Sequence, residues 1–174
     1  MAVVRQLNGA DALLMIGASD RDADLYYATR FRAPDPFVFL WTTGEKILLA
    51  NSLEIDRARD QARVDRVLAY AEYEERTKER GADLPSAKEV LLELLRDIGL
   101  QKLQVPADFP LGTADFLRSA GVALEVAGEP LFPERQIKDE DEIASVRRAM
   151  QATEAGMETA IGGIRAAQVR DGAL

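Results

Sequence analysis

The chain has 174 residues, 22 Lys and Arg against 30 Asp and Glu, and a net charge of −8, with 47% hydrophobic and 30% charged residues. This is the mix of a globular protein of about one domain plus an arm, and its acidity argues against nucleic acid or anionic lipid as a partner. The absence of Cys and His excludes disulfides, thiolate nucleophiles, Cys-type zinc sites and the usual general base near neutral pH.

The first residues lack the basic start and long apolar stretch of a secretory signal, and nothing approaches the roughly 20 apolar residues that span a bilayer. A cytoplasmic protein is expected. Residues 12–17, ALLMIG, read as a short buried strand, an apolar run closed by a breaker. Asp20, Asp22 and Asp24 mark a turn or helix start, and Leu25, Tyr26 and Tyr27 close a short helix. Pro34 and Pro36 then impose an extended path. FVFLW (37–41) and KILLA (46–50), separated by TTGE, form the strongest hairpin signal. Both runs are apolar on both faces, so this part of the sheet is expected to be covered on both sides.

Asn51 or Ser52 is placed to cap a helix over about 53–63 with Ile55, Ala58 and Ala62 on one face. RVLAYA (66–71) reads as a fourth strand. The charged stretch 72–85 reads as an exposed loop or a solvated helical turn. Ser86 and Glu89 make a capping box for a helix carrying Val90, Leu91, Leu94, Leu95 and Ile98, stopped by Gly99. KLQVP (102–106) is a fifth strand. Thr113 is expected to cap a short helix ended by Gly121, and VALEV (122–126) is a sixth strand. The alternation predicts an α/β fold, three-layer α/β/α with a mixed sheet of about six strands.

From Pro133 the character changes. Ile143, Val146, Met150, Met157, Ala160 and Ile164 fall on one stripe of a long C-terminal helix, predicted from about 139 to 160. Acids at 139–142 suit its N-terminus, and Gly162 and Gly163 weaken its end. The last residues show no terminal signal, and a further segment is expected beyond them. Two domains are therefore expected, 1–132 and 133–174.

Chemical motifs are sparse. No phosphate-binding glycine pattern is present. Asp20, Asp22 and Asp24 are the only compact carboxylate set outside helix termini, and turn and cap roles explain them better than a metal site. Ser19, Ser52, Ser86, Ser119 and Ser145 have no histidine partner. Arg30 and Arg32 flank Phe31 in the loop before a buried strand. An arginine pair beside aromatics and prolines suits a carboxylate or a partner surface, and equally an exposed loop that touches only its own domain.

Two stretches carry a resemblance. DLYYATRFRAPDPFVFLWTTGEKILLANSLEIDRAR, with the spacing D-x-x-Y-x-T-x-F at Asp24, Tyr27, Thr29 and Phe31, resembles the N-terminal domain of the creatinase / aminopeptidase P / prolidase family. LFPERQIKDEDEIASVRRAMQATEAG resembles that family's linker and first catalytic-domain helix, through Arg135, Ile137, Lys138, Glu142, Ile143, Arg147 or Arg148, and Ala149. The closest flavour is a prokaryotic Xaa-Pro dipeptidase; creatine amidinohydrolase shares the architecture, and a stand-alone interaction module is the third reading.

The resemblance implies a non-catalytic N-terminal domain that serves dimerisation and shapes an active-site rim. It implies that 133–174 is the linker and first helix of a pita-bread metallopeptidase domain. Two divalent ions, Mn, Co or Zn, are expected in the full-length parent, on Asp, Asp, His, Glu and Glu ligands beyond residue 174. No catalytic residue, metal ligand or cofactor is expected in this chain. The loop carrying Arg30, Phe31, Arg32 and Asp35 is implied at the substrate rim. Ile143, Val146, Met150 and Met157 are implied as an interface. The expected partners are the chain's own catalytic domain, a second copy as a homodimer, and a short Xaa-Pro peptide.

Overall fold

A computed structural model describes residues 7–167 of the chain. Two compact units divide between Phe132 and Pro133. Among the described residues the first is an α/β unit with six strands and five helices. Its strands are β1 (Ala12–Gly17), β2 (Phe37–Thr42), β3 (Lys46–Ala50), β4 (Arg66–Ala69), β5 (Lys102–Val105) and β6 (Ala123–Val126), in the sheet order β4-β3-β2-β1-β5-β6. β2 is antiparallel to both neighbours, and the other adjacent pairs are parallel, so five strands point one way.

The period-two alternation of these strands builds two cores. Leu13, Met15, Phe37, Phe39, Trp41 and Leu48 face one side, where α1 (Ala23–Thr29) and α2 (Ile55–Gln61) add Leu25, Ala28 and Ala58. Leu14, Leu40, Ile47, Leu49, Leu103 and Val105 face the other. There α3 (Tyr70–Glu79), α4 (Ala87–Ile98) and α5 (Leu111–Ser119) add Tyr73, Leu91, Leu95 and Leu117. The three-layer fold and the double-sided cover of the hairpin are as the apolar runs predicted.

Local signals hold where they are strong. Ser86 and Glu89 form both halves of the capping box, and Gly99 ends α4 with φ of 80°. Asp22 accepts from the Asp24 and Leu25 amides, each at 2.9 Å, and so caps α1.

Four boundaries differ from expectation. The fourth strand stops at Ala69, and residues 70–79 form α3 rather than a loop or turn. Tyr73 and Thr77, one helical turn apart, are buried beneath the charges. Two apolar anchors in a field of acids and bases are too few to register as an amphipathic stripe. α5 starts at Leu111, with Pro110 at its N-cap, so Thr113 lies inside the helix. Asn51 accepts from the Leu53 and Glu54 amides and closes the turn ahead of α2 rather than capping the helix itself. α2 is also shorter than predicted.

The second unit holds a short 3₁₀ turn (Pro133–Gln136) and α6 (Glu140–Ala166), 27 residues long. Asp139 and Glu142 form its capping box. The helix runs through Gly162 and Gly163, because a propensity cost of about 1 kcal/mol each does not outweigh an established helix. Among the described residues no helix is long and apolar enough to cross a membrane.

Candidate functional site

The loop between α1 and β2 is built by hydroxyl groups. α1 ends where Arg30 turns into the left-handed region, φ 51°, a conformation that non-glycine residues adopt only when neighbours enforce it. Thr29, fully buried, is one enforcer: its Oγ1 donates to the Leu25 carbonyl at 2.8 Å and accepts from the Phe31 amide at 3.2 Å. Ser19 is the other. Its buried Oγ donates to the Phe31 carbonyl at 2.6 Å and accepts from the Ala33 amide at 2.9 Å.

This clamp sets the direction of every side chain in the loop. Phe31 and Ala33 point into the first core and are buried, while Arg32 between them is exposed. Phe31 packs on Phe37, ring centroids 5.7 Å apart. Pro34, Asp35 and Pro36 are exposed. Arg57 of α2 braces the loop from below. Its guanidinium donates to the Arg32 carbonyl at 3.0 Å and lies 5.6 Å from the Phe31 ring centroid, while Glu54 holds it from the other side.

The four rim candidates therefore separate. Phe31 does not face outward: its ring is core, because the extended backbone between two buried anchors turns every second residue inward. Arg30 is half-buried, its guanidinium 4.9 Å from the Tyr27 ring centroid. Arg32 and Asp35 are displayed on the surface. Among the described residues neither side chain makes an ion pair, whereas an arginine fork is suited to a carboxylate.

The sequence offers Ser19 only as a serine without a histidine partner, and it does not single out Arg57. Ser19 acts on residues 12 and 14 positions away, which no local pattern reports. Arg57 carried one signal, its position three residues after Glu54, where an i,i+3 pair forms.

Metal chemistry does not fit the described residues. Asp22 is engaged as a helix cap, and no group of three or more carboxylate, His or Cys side chains is placed to hold an ion among them.

In the second unit, Ile143, Val146, Met150 and Met157 are 39–60% exposed, and Ile161 and Ile164 extend the stripe. Ile143, Met150, Met157 and Ile164 recur every seventh residue, with Val146, Thr153 and Ala160 interleaved at the second core spacing of a heptad. Ile161 was not part of the sequence-derived stripe because it sits one residue off the seam.

No protein-family model matches the chain, and no curated protein matches it. Solved structures do. The X-Pro aminopeptidase from Thermotoga maritima MSB8 superposes with a TM-score of 0.71 at 17% identity, over 91% of this chain and 42% of that one. The Xaa-Pro dipeptidase from Bacillus anthracis gives 0.71 at 17% identity, over 88% and 39%. The prolidase from Pyrococcus horikoshii OT3 gives 0.65 at 18% identity, over 89% and 39%. The chain thus spans about two fifths of the length of these structures, and at such identities the likeness is one of fold.

Proposed function

We propose that this chain is the non-catalytic N-terminal portion of a metal-dependent Xaa-Pro peptidase. In this reading the first unit shapes the rim of a catalytic cleft supplied by a further domain or a second subunit. The supporting observation is the fold likeness, which extends over about nine tenths of this chain and runs through both units. The sequence resemblance at 24–59 and 131–156 points the same way.

The 30–36 loop fits a rim role on physical grounds. A rigid backbone presents Arg32 without the ordering cost of a flexible loop. Two prolines and the Ser19 clamp supply that rigidity. The exposed Arg32 would take the free carboxylate of a short peptide, and Arg57 would hold the loop in place from behind. The apolar stripe of α6 would be covered by the catalytic domain or by a second copy. The metal ions would be held by residues outside the described ones, among which no group of three or more potential ligands is placed to hold an ion.

The test uses two proteins, the 174-residue chain and the longer protein that this reading requires. The longer protein is expected to hydrolyse Ala-Pro in a chelator-sensitive reaction, and the isolated chain to be inactive with or without Mn²⁺, Co²⁺ or Zn²⁺. Chelator-sensitive turnover by the purified chain overturns the reading, as does a longer protein that leaves Xaa-Pro bonds intact.

A further inference from the structure

A cavity of about 260 Å³ opens in the first unit at the carboxyl ends of the parallel strands. This is where open α/β sheets most often hold ligands, because the strand ends and the helix N-termini that follow them converge there. Ile16 of β1, Val38 of β2 and Leu49 of β3 contribute to its walls, and Leu91 of α4 to the opposite side. Its lining is mostly apolar, with Asn51, Tyr70 and Thr113 as polar members, and Lys88 is the one side chain in it, among the described residues, that is charged at neutral pH.

Lys88 stands beside Glu89, whose pKa it helps to lower, and Glu74 acts on Tyr70, another residue of the lining. The ammonium lies 3.5 Å from the Gly112 carbonyl, a contact at the outer limit of a hydrogen bond, and 5.8 Å from the Phe116 ring centroid. Gly112 belongs to the first turn of α5, and Thr113 of the same turn also lines the cavity. That helix has no side-chain cap and no acid in its first turn, so the positive end of its dipole is uncompensated. α4 differs: Glu89 already answers its N-terminus. A lysine and an uncapped helix end thus stand together at an apolar cavity, in a chain of net charge −8.

We propose that this cavity binds a small monocarboxylate with an apolar body. The body occupies the space between β1–β3 and α4, and the carboxylate sits between Lys88 and the first turn of α5. The apolar walls supply affinity through burial, and the cation with the helix end selects the sign of charge. The site does not depend on the cleft-rim reading, because neither Arg32 nor any external domain takes part in it.

The experiment titrates the purified chain with 3-phenylpropionate, 3-phenylpropylamine and 3-phenyl-1-propanol, followed by methyl NMR and calorimetry. The carboxylate is expected to bind saturably, with one site and a Kd below about 1 mM, and at least about fivefold tighter than the amine. Lys88→Gln should remove that preference while leaving the alcohol unaffected. Ala87→Trp, at an exposed position on the cavity lining, should block all three probes; circular dichroism confirms that each variant is folded. Absence of saturable binding overturns the proposal. So does equal affinity for amine and carboxylate, or unchanged binding in a folded Ala87→Trp protein.

Discussion

Ser19 Oγ lies 2.6 Å from the Phe31 carbonyl oxygen, and this buried contact helps to orient the loop that displays Arg32. The same hydroxyl serves the Ala33 amide, so a donor and an acceptor of the backbone depend on a single side chain. Ser19→Ala leaves both buried groups without their partner, at a cost of about 1–3 kcal/mol. Urea denaturation is expected to show that loss, and limited proteolysis to show faster cleavage within 30–36. A variant as stable as the parent would mean the clamp is replaceable.

Under the proposed cleft-rim function, Arg32 and Arg30 should behave differently in the longer protein. Arg32 makes no ion pair among the described residues, so Arg32→Ala is expected to leave thermal stability unchanged. It should lower kcat/KM for Xaa-Pro dipeptides about tenfold, roughly 1.4 kcal/mol of transition-state stabilisation. Arg30 stacks on Tyr27, and Arg30→Ala should instead cost about 0.5–1 kcal/mol of stability. Kinetics within twofold of the parent for both variants would remove the loop from substrate binding.

Tyr73 makes the fold sensitive to alkali. Burial, then the hydrogen bond its hydroxyl donates to Asp97 at 2.9 Å, push its pKa up to about 12 from an ordinary value of 10.0. Unfolding returns the phenol to the ordinary value, so the unfolded state loses its proton first. The contribution is complete below pH 10.0 and is lost as pH rises from there through about 12. Burial and Glu74 raise Tyr70 in the same sense. Tyr73→Phe should cost about 1 kcal/mol at neutral pH and flatten the alkaline fall in stability. Absorbance at the phenolate band checks the ionisation directly. At the acid end, amide hydrogen bonds from Gln101 and Lys102 lower the pKa of Asp11. Its contribution is present above the ordinary value of 3.8 and is lost as pH falls through its lower folded value.

The pair between Arg80 and Glu93 is lopsided, with the carboxylate buried and the guanidinium largely in water, 2.8 Å apart. Removing the cation leaves a buried carboxylate without its partner, whereas neutralising the carboxylate removes the cost of burying it. Arg80→Ala is expected to destabilise by about 1–3 kcal/mol. Glu93→Gln should cost less. Chemical denaturation of both variants decides the order, and the reverse order would mean the pair contributes little.

The stripe on α6 should drive association of the isolated chain, since exposed apolar seams seek cover. Sedimentation velocity is expected to show a concentration-dependent dimer that Ile143→Asp combined with Met150→Asp abolishes. A chain that stays monomeric at high concentration would refute association through the seam.

The sequence by itself determined the layers. Alternation in FVFLW and KILLA placed Phe37, Phe39 and Trp41 on one face and Leu40 and Leu49 on the other, because side-chain direction in a strand follows position. The caps at Ser86 and Asp139 were equally legible, since a cap and its partner lie three residues apart. Arg32 and Asp35 could be read as displayed loop residues, but Phe31 beside them could not be assigned to the core. The tertiary structure alone decided that, through Ser19, which the strand and turn before α1 bring under the loop. It also decided that the charged segment after β4 is a helix, because Tyr73 and Thr77 gain a surface to bury against only once α4 is in place. The cavity depends on the strand order β4-β3-β2-β1-β5-β6, which sets Ile16, Val38 and Leu49 side by side. Such contacts join residues tens of positions apart, and hydrophobic periodicity carries no information beyond the element that contains it.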